Sequence, residues 1–477
     1  MTRMERTYLF YDIETTGRSK CFDQILQFAA IRTDLALNEL ERHYFQIKLN
    51  SDFIPDPEAI LIHRIPIETM LQGSSEIAAV TDIHQLVNTP GTVSGGYNTL
   101  GFDDEFLRFS FHRNLLPPYT HQWADGCGRF DLYPITQLYY LYHHHCLTWP
   151  VKPDGKNSLK LAEINAANQL ITHGKAHEAM TDVEVTLALA RIFFQHKETW
   201  DYVMGFFDKA TESKRHARIH SCLETEHNKY RLALLIGNTG SADLYQTPVL
   251  ALGQHKHYKN QTVWLRVDKP ELVTTTLDTI TQVPWIVRTK PGENFLLPLA
   301  GRFKQHLSQE RLTIIETNMN WLRANESMLQ SIQAYYCDYK YPEIPNLDVD
   351  ADLYVNGFLT REEQIVCQQF HAAPPEKKPS VLKKFHNPRL QEIAVRLIGR
   401  HYQPYLTAAL KEQFNAYLCR VNPQKAENSL IDWQGKPRLT PKISLAALDQ
   451  IRATNTNQSD TKLLDELETY IKATFLV

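Results

Sequence analysis

The sequence has no apolar run that approaches the ~20 consecutive residues required for a membrane-spanning helix. The apolar stretch nearest the start, Tyr8-Leu9-Phe10-Tyr11, is interrupted by Asp12, so neither a secretory signal nor a membrane anchor is expected. Seven cysteines are scattered through the chain, and no two of them form a CxxC pair. A disulfide framework and a structural zinc site are therefore not expected, and a reducing cytoplasm is the predicted location.

The chain also lacks a strong charge bias, because its formal net charge is only −3 over 477 residues. Global charge gives no support for nucleic-acid binding, which would require a local basic patch. The sequence contains no fixed-period repeat and no low-complexity tract. A hydrophobic content of 43% and a charged content of 22% are typical of globular proteins, and the length predicts about two to four domains.

The first part of the chain alternates between strand and helix patterns. Apolar runs predict strands at residues 7–11, 25–32, 44–49 and 92–97. Helical spacing predicts helices at residues 57–62, 75–87, 104–112, 131–145, 158–168 and 178–194. This order of elements predicts an α/β domain with a mixed sheet.

The pattern changes after residue 200 to short strand-like runs separated by turn residues. These runs lie at residues 249–252, 262–267, 285–289 and 295–298, which predicts a smaller, barrel-like β-rich domain. Prolines at 342 and 345 mark a boundary, after which the chain has helical patterns almost throughout. We therefore predict domains at residues 1–197, 198–347 and 348–477.

Two acidic residues follow the first apolar run. Asp12 and Glu14 are two positions apart, so in a strand both side chains project from the same face. Two acids at an exposed strand end are the simpler interpretation, but the preceding apolar run indicates a buried central strand. Paired carboxylates there are costly unless protons or cations neutralise them.

Two further clusters stand at predicted helix starts. Asp103 precedes a helical stretch, where aspartate often caps the helix, and Asp104 is the second candidate, more typical of a first-turn acid. His177 and Asp182 bracket the start of the last helix of the first domain. Taken alone, that pair is more often a surface histidine near a helix terminus.

The three clusters together favour a catalytic site, because each places an acid at a strand end or helix start of one domain. Asp12, Glu14, Asp103 and Asp182 offer oxygen ligands, which suit Mg²⁺ or Mn²⁺ better than zinc. Two such ions can activate water and stabilise the leaving oxygen in phosphodiester hydrolysis. A neutral His177 can accept the proton of that water.

The segments that contain these residues resemble the three exonuclease motifs of the DEDD superfamily, histidine-containing branch. Their sequences are YDIETTG, GYNTLGFDD and HEAMTD. More narrowly, residues 27–34, 129–132 and 349–354 resemble bacterial exonuclease I. The resemblance is specific over the first domain, fades in the middle of the chain and returns near residue 349.

This resemblance implies a ribonuclease-H-like exonuclease domain, a small Src-homology-three-like β-barrel and a C-terminal helical domain. It implies a monomer that degrades single-stranded DNA processively, 3′→5′, to 5′-mononucleotides in DNA repair and recombination. The implied cofactor is a pair of Mg²⁺ ions, for which Mn²⁺ can substitute. The implied protein partner is the acidic C-terminal tail of single-strand DNA-binding protein.

The resemblance also implies roles for individual residues. Asp12, Glu14, Asp103 and Asp182 would be the metal ligands, and His177 would be the general base. Glu14 would also lie near the 3′-terminal nucleotide.

Three further residues are candidate substrate contacts. Lys160 stands where the family has an arginine that contacts substrate, so the charge is kept but a bidentate fork on phosphate is lost. Tyr119 and Trp123 are candidates for base stacking.

Two other functions fit the same motifs. A 3′→5′ exoribonuclease or proofreading-type nuclease is an alternative, because the motifs are shared across the superfamily. A non-catalytic nucleic-acid-binding scaffold with a vestigial site is the other, although all five catalytic positions are retained.

The remaining histidine and cysteine candidates are predicted to be structural. The run of histidines at 143–145, followed by Cys146, resembles a metal tract, but consecutive residues on a helix cannot converge on one ion. We predict that this run is a helix surface, and that Cys21 and Cys127 are packing thiols.

Overall fold

The computed structural model describes residues 6–174, 177–224, 228–237, 240–283, 285–355, 357–454 and 457–476. The strands are β1 (Thr7–Thr15), β2 (Ile25–Thr33), β3 (Glu39–Gln46), β4 (Thr92–Gly96), β5 (Gly128–Asp131), β6 (Ser221–Glu224), β7 (Lys229–Ile236), β8 (Gln246–Gln254), β9 (Thr262–Arg266), β10 (Ile286–Thr289) and β11 (Phe295–Pro298). The helices are α1 (Pro57–His63), α2 (Ile67–Met70), α3 (Glu76–Val87), α4 (Asp103–Arg113), α5 (Leu132–Tyr142), α6 (Leu161–Asn168), α7 (Ala179–Phe194), α8 (Lys197–Met204), α9 (Lys209–Ala217), α10 (Gln309–Ala324), α11 (Glu326–Asp338), α12 (Arg361–Ala372), α13 (Lys378–Leu382), α14 (Pro388–His401), α15 (Ala408–Val421), α16 (Pro441–Thr454) and α17 (Gln458–Phe475).

The chain divides into two compact units. Unit 1 consists of Met1–Gly128, Ile171–Leu187 and Glu343–Val477, and unit 2 consists of Arg129–Leu170 and Ala188–Pro342. Unit 1 thus contains both the N-terminal strands and the C-terminal helices. The three-domain division at residues 197 and 347 stays a prediction from the sequence.

The sheet of unit 1 is mixed, as predicted. Strand β1 lies between β2, to which it is antiparallel, and β4, to which it is parallel, and β3 pairs with the far side of β2. The apolar side chains of β1 and β2 pack in one buried cluster with Val80 and Ile83 of α3 and Phe106 of α4. Burial of β1 explains why its sequence is a nearly continuous apolar run before Asp12.

The close approach of the end of β4 to its parallel neighbour β1 requires glycine at position 96. A Cβ atom on Gly96 would lie 2.3 Å from the carbonyl oxygen of Tyr11, a distance that backbone atoms cannot tolerate. The close approach lets the segment after β4 pass beside the end of β1. That segment leads directly into α4, which begins at Asp103.

A second core of unit 1 joins the C-terminal helices to the N-terminal part of the chain. Phe22, Phe53 and Phe109 lie in the same buried cluster as Ile393 and Leu467. Burial of this apolar surface, at roughly 25 cal/mol per Å², is the main force holding these segments together.

The predicted packing thiols are buried in unit 1. Cys21 lies in the second core and is 1% exposed, and Cys127 is 8% exposed. The seven cysteines are free thiols.

Unit 2 is built around an antiparallel sheet. The strand order is β10-β9-β8-β7-β11, and β6 pairs with β7. Its core contains Leu235, Val249 and Trp264, so the predicted β-rich region is confirmed. In the described part of unit 2, no strand pairing joins β10 to β11, and the sheet is an open path.

The helices of both units are short or amphipathic. Across the residues that the structure describes, none is both long enough and apolar enough to span a membrane.

Candidate active site

The first two candidate ligands lie near the end of β1. Asp12 pairs across the ladder with Ala29, and Glu14 pairs with Gln27. The alternation of a strand turns both carboxylates to one face while Ile13 enters the core on the other face. Glu14 is only 9% exposed, so its carboxylate is held in a largely desolvated position.

Asp103 is the first residue of α4 and is fixed beside β1. The backbone N–H of Ile13 donates a hydrogen bond to Asp103 Oδ1 over 3.3 Å. Phe102 occupies the cap position of this helix, without a capping side chain. Asp103 therefore does not serve as the helix cap, and its carboxylate is directed to the acidic end of β1.

His177 and Asp182 reach the same place from the start of α7. His177 precedes the helix in a left-handed conformation, with φ 62°, and its backbone N–H donates to Asp182 Oδ2 over 3.2 Å. One ligand atom from each of Glu14, His177 and Asp182 lies within 4.8 Å of the other two. The turn before α7 therefore places an imidazole beside two carboxylates.

The five predicted residues line one cleft of unit 1. Its volume is about 250 Å³, and its lining includes Asp12, Glu14, Asp103, His177 and Asp182. Residues separated by up to 170 positions in the sequence are thus brought to one surface depression.

The carboxylates of the cleft repel one another. Burial, followed by the charges of Asp103, Glu14 and Asp182, raises the pKa of Asp12 well above its usual value. Burial and the charges of Asp182 and Asp103 raise the pKa of Glu14 to about 9. Burial also raises the pKa of Asp182, although the nearby His177 opposes that shift. Carboxylates this close together bind protons or cations strongly. The cleft therefore suits divalent cations that prefer oxygen ligands.

Asp104, the neighbour of Asp103, has a different environment. Its carboxylate forms an ion pair with Arg108 at 2.5 Å and contacts His121 Nε2 at 2.8 Å. Asp104 and His121 are fully buried. Two adjacent acids at one helix start therefore differ in role, because Asp104 joins structural elements and Asp103 faces the cleft.

Alanine substitution of Asp104 and of Asp103 is expected to have opposite effects on stability and activity. Asp104→Ala removes the buried carboxylate that pairs with Arg108 and contacts His121, although Arg108 keeps its pair with Glu105, and it should reduce the free energy of unfolding by about 2 kcal/mol. Asp103→Ala loses the long hydrogen bond from Ile13 but relieves repulsion in the cleft, so stability should change little while activity is lost. Urea unfolding in EDTA, paired with a nuclease assay, measures both. Equal destabilisation by the two changes would contradict this assignment.

The other predicted substrate contacts lie apart from this cluster. The Tyr119 ring packs edge-on against Phe358 at 5.4 Å, and the guanidinium of Arg108 lies 5.8 Å from its centroid. Trp123 is 68% exposed, which leaves its ring accessible for stacking. Among the described residues that line the cleft, neither ring is present.

Lys160 belongs to unit 2, where it precedes α6. Its side chain is 75% exposed, and its Nζ lies 3.6 Å from Glu163. A weak surface pair of this kind leaves the ammonium able to contact a phosphate.

Sequence reasoning missed His63, which also lines the cleft. Its Nδ1 accepts a hydrogen bond from the backbone N–H of Ile65 over 2.9 Å. Within the described residues its buried Nε2 has no hydrogen-bond partner. Burial and the nearby His177 lower its pKa to about 4, so the ring is neutral near pH 7. No spacing rule connects the end of α1 to the other clusters, and only the fold brings His63 to the site.

Comparison with protein families gives two matches on this chain. A family model described as "Exonuclease" matches residues 9–190, and one described as "Exonuclease I C-terminal domain" matches residues 347–474. The five cleft residues lie within the first match. The second match contains α12–α16 and all but the last residue of α17.

Individual relatives match along most of the chain. Exodeoxyribonuclease I of Escherichia coli (strain K12) is 27% identical over 445 residues, covering 86% of this chain and 89% of the relative. The crystal structure of E. coli exonuclease I in complex with a dA16 oligonucleotide has a TM-score of 0.85 at 23% identity, covering 98% of this chain and 100% of that chain. The complex of the same enzyme with a dT13 oligonucleotide has a TM-score of 0.83 at 25% identity, with the same coverage. The predicted exonuclease-type α/β fold is therefore confirmed.

Proposed function

The chain belongs to the exonuclease I family, and we propose that this nuclease removes nucleotides from the 3′ end of single-stranded DNA and releases 5′-mononucleotides. The observation that carries the proposal is the convergence of four carboxylates and His177 on one cleft. The choice of DNA rests on the relatives, which are exodeoxyribonucleases, and on the oligonucleotides bound in their solved structures.

Divalent-metal dependence is typical of this family, and the cleft is suited to it. We assign Asp12, Glu14, Asp103 and Asp182 as ligands of two Mg²⁺ ions, for which Mn²⁺ can substitute. The support is the mutual repulsion that raises the pKa of Asp12 and Glu14, since cations would relieve it. When bound, such ions would make a water molecule more acidic and neutralise charge on the phosphate.

The protein's own residues then orient the reactants and move the proton. His177 is exposed at the mouth of the cleft, and its main chain is tied to Asp182 by a hydrogen bond of 3.2 Å. We assign its imidazole as the group that accepts the proton of the attacking water. Glu14, projecting from the rigid strand β1, would hold the 3′-terminal nucleotide in place.

Further substrate contacts are proposed at the exposed Trp123 and Lys160 and at the partly buried Tyr119. Trp123 and Tyr119 would stack on bases, and Lys160 would contact phosphate as a point charge. If Lys160 has this role, Lys160→Ala raises KM for DNA and leaves kcat unchanged, whereas an unchanged KM removes Lys160 from the substrate path.

The substrate class is tested with DNA and RNA oligonucleotides of one sequence, digested in parallel with Mg²⁺. We expect the single-stranded DNA to be degraded and the RNA to remain largely intact. Faster digestion of RNA would support the exoribonuclease alternative. Binding of either strand without cleavage would support the scaffold alternative.

We propose both a three-domain organisation and processive degradation. We retain three domains at residues 1–197, 198–347 and 348–477, supported by family matches that end at residue 190 and begin at 347. We also propose that degradation by the monomer is processive, as the resemblance to exonuclease I implies. Excess unlabelled DNA, added as a trap after binding, distinguishes processive from distributive degradation. A distributive enzyme releases the labelled strand after one or a few nucleotides and is then captured by the trap.

The cellular role is proposed from the family. We place the enzyme in the cytoplasm, supported by its free thiols, and in DNA repair and recombination. We also propose that it binds the acidic C-terminal tail of single-strand DNA-binding protein on a basic surface away from the cleft. A pull-down with that tail peptide in which the enzyme is not retained would remove this partner.

A further inference from the structure

Three histidines of unit 2 converge beyond the end of α5. His143 immediately follows the helix, His145 lies in the single 3₁₀ turn that comes next, and His196 precedes α8. One ring nitrogen from each lies within 4.8 Å of the other two. The prediction that residues 143–146 form a helix surface is therefore wrong, because α5 ends at Tyr142 and the chain then turns.

The rings face one another at short range. Ring centroids are 4.8 Å apart for His143 and His196, 5.8 Å for His145 and His196, and 6.0 Å for His143 and His145. Tyr139 forms one wall of this cluster, with its ring 5.2 Å from that of His143. The Tyr139 hydroxyl donates to the Phe193 carbonyl over 2.7 Å, so it does not occupy the imidazole nitrogens.

The hydrogen bonding of His143 suits a metal ligand. Its Nε2 lies 2.9 Å from Thr199 Oγ1, while its buried Nδ1 has no hydrogen-bond partner among the described residues. When Nε2–H donates to the Thr199 hydroxyl, the lone pair of Nδ1 is left for a cation. A ligating histidine commonly donates its other N–H to an oxygen in this way, which fixes its tautomer and orientation.

We propose that His143, His145 and His196 bind a divalent transition-metal ion of the Zn²⁺ class. Imidazole nitrogen suits zinc, whereas Mg²⁺ and Mn²⁺ prefer oxygen ligands. A tetrahedral ion with Zn–N bonds of ~2.0–2.1 Å needs nitrogens about 3.3 Å apart. The exposed His145 is able to swing inward to close the remaining gap. Three protein ligands leave the fourth position to water.

Neighbouring groups do not complete the ligand set. Among the described residues, Cys146 contributes no ligand atom to the cluster, although it follows His145 directly. His144 points elsewhere, with its Nδ1 3.1 Å from the Tyr140 carbonyl. It is therefore a matched control, since it is an adjacent, exposed histidine outside the cluster.

A bound ion would tie the end of α5 to the junction of α7 and α8. These segments are more than 50 residues apart in the sequence, and a metal crosslink of this kind stabilises the folded state. Binding of the ion is therefore expected to stabilise the fold of unit 2.

The experiment uses the untagged full chain with Asp12→Asn and Asp182→Asn, which removes zinc binding by the carboxylate cleft. Calorimetric titration with ZnCl₂ should show one ion bound with a Kd of about 10 µM or lower. Adding His145→Ala should weaken binding at least about tenfold, and so should His196→Gln, whereas His144→Ala should leave it unchanged. Zinc should raise the thermal midpoint of unfolding only in those variants that bind it.

Two results would overturn the proposal. One is the absence of zinc binding at ~100 µM in protein whose circular dichroism matches that of the wild type. The other is equal affinity in the His145→Ala and His144→Ala variants, which would place the ion elsewhere.

Discussion

Asp12→Asn is expected to lower turnover by about 10³-fold or more, because it removes one of the proposed metal ligands of the cleft. The same change is expected to stabilise the metal-free protein. Burial and three neighbouring carboxylates raise the pKa of Asp12 well above its usual value. An amide fills the same space without the charge, so loss of activity and gain of stability should come together.

The sign of the pH dependence follows from the direction of this shift. A carboxyl whose pKa is raised by folding binds its proton more tightly in the folded state. The stability that it contributes is present below its unfolded pKa, near 4, and is lost as pH rises toward the folded value. The advantage of Asp12→Asn over the wild type should therefore grow between pH 5 and pH 8, at roughly 1.4 kcal/mol per unit of pKa shift.

Urea unfolding in EDTA at these two pH values measures the effect. Asp82→Asn is the control, because Asp82 is an exposed acid on α3 of the same unit. A variant that keeps its turnover, or that is less stable than the wild type in EDTA at pH 8, would contradict the assigned role of Asp12.

His177→Ala is expected to lower the rate of hydrolysis by about 10²- to 10⁴-fold, the usual contribution of a general base. DNA binding should be retained, because the carboxylates that we propose as metal ligands remain.

The measurements are single-turnover rates across pH and equilibrium binding of a DNA oligonucleotide in Ca²⁺. His173→Ala is the matched control, because His173 is an exposed histidine four residues earlier that pairs with Glu184 at 3.0 Å. Unchanged turnover in His177→Ala would assign the base elsewhere, and His63, which lines the same cleft, would be the next candidate.

Local patterns were sufficient to predict the strand that carries Asp12 and Glu14. The apolar run before Asp12 indicates burial, and the spacing of the two acids fixes their common face. The observed β1, Thr7–Thr15, extends the predicted strand through both acids. Their neighbours Asp103 and Asp182 were found by the same means, as acids at predicted helix starts.

Pairing between strands that are distant in the sequence accounts for the main errors in the predicted strands. A strand was predicted at residues 44–49, but β3 spans Glu39–Gln46. Its first half is polar and exposed, and its extent is set by hydrogen bonding to β2, which hydrophobic periodicity does not detect. β7 was missed although residues 232–236 are apolar, because a short apolar run does not by itself distinguish a strand from a buried helix. Of β8, only residues 249–252 were predicted.

The turn after α5 shows how a small boundary error changes a functional prediction. A helix was predicted over residues 131–145, but α5 ends at Tyr142. Three residues of difference move His143 and His145 off the helix, which allows them to meet His196. Contact with a residue some 50 positions away depends on tertiary packing, so neither this cluster nor the position of His63 follows from local sequence.

The most direct test of the proposed function is digestion of single-stranded DNA labelled at one end, with Mg²⁺ present or removed by EDTA. With a 5′ label, we expect a ladder that shortens progressively from the 3′ end, release of 5′-mononucleotides, and no cleavage in EDTA. Asp12→Asn should leave the DNA intact. Shortening from the 5′ end, products other than 5′-mononucleotides, or full activity in Asp12→Asn would contradict the assignment of the cleft as a metal-dependent 3′→5′ exonuclease site.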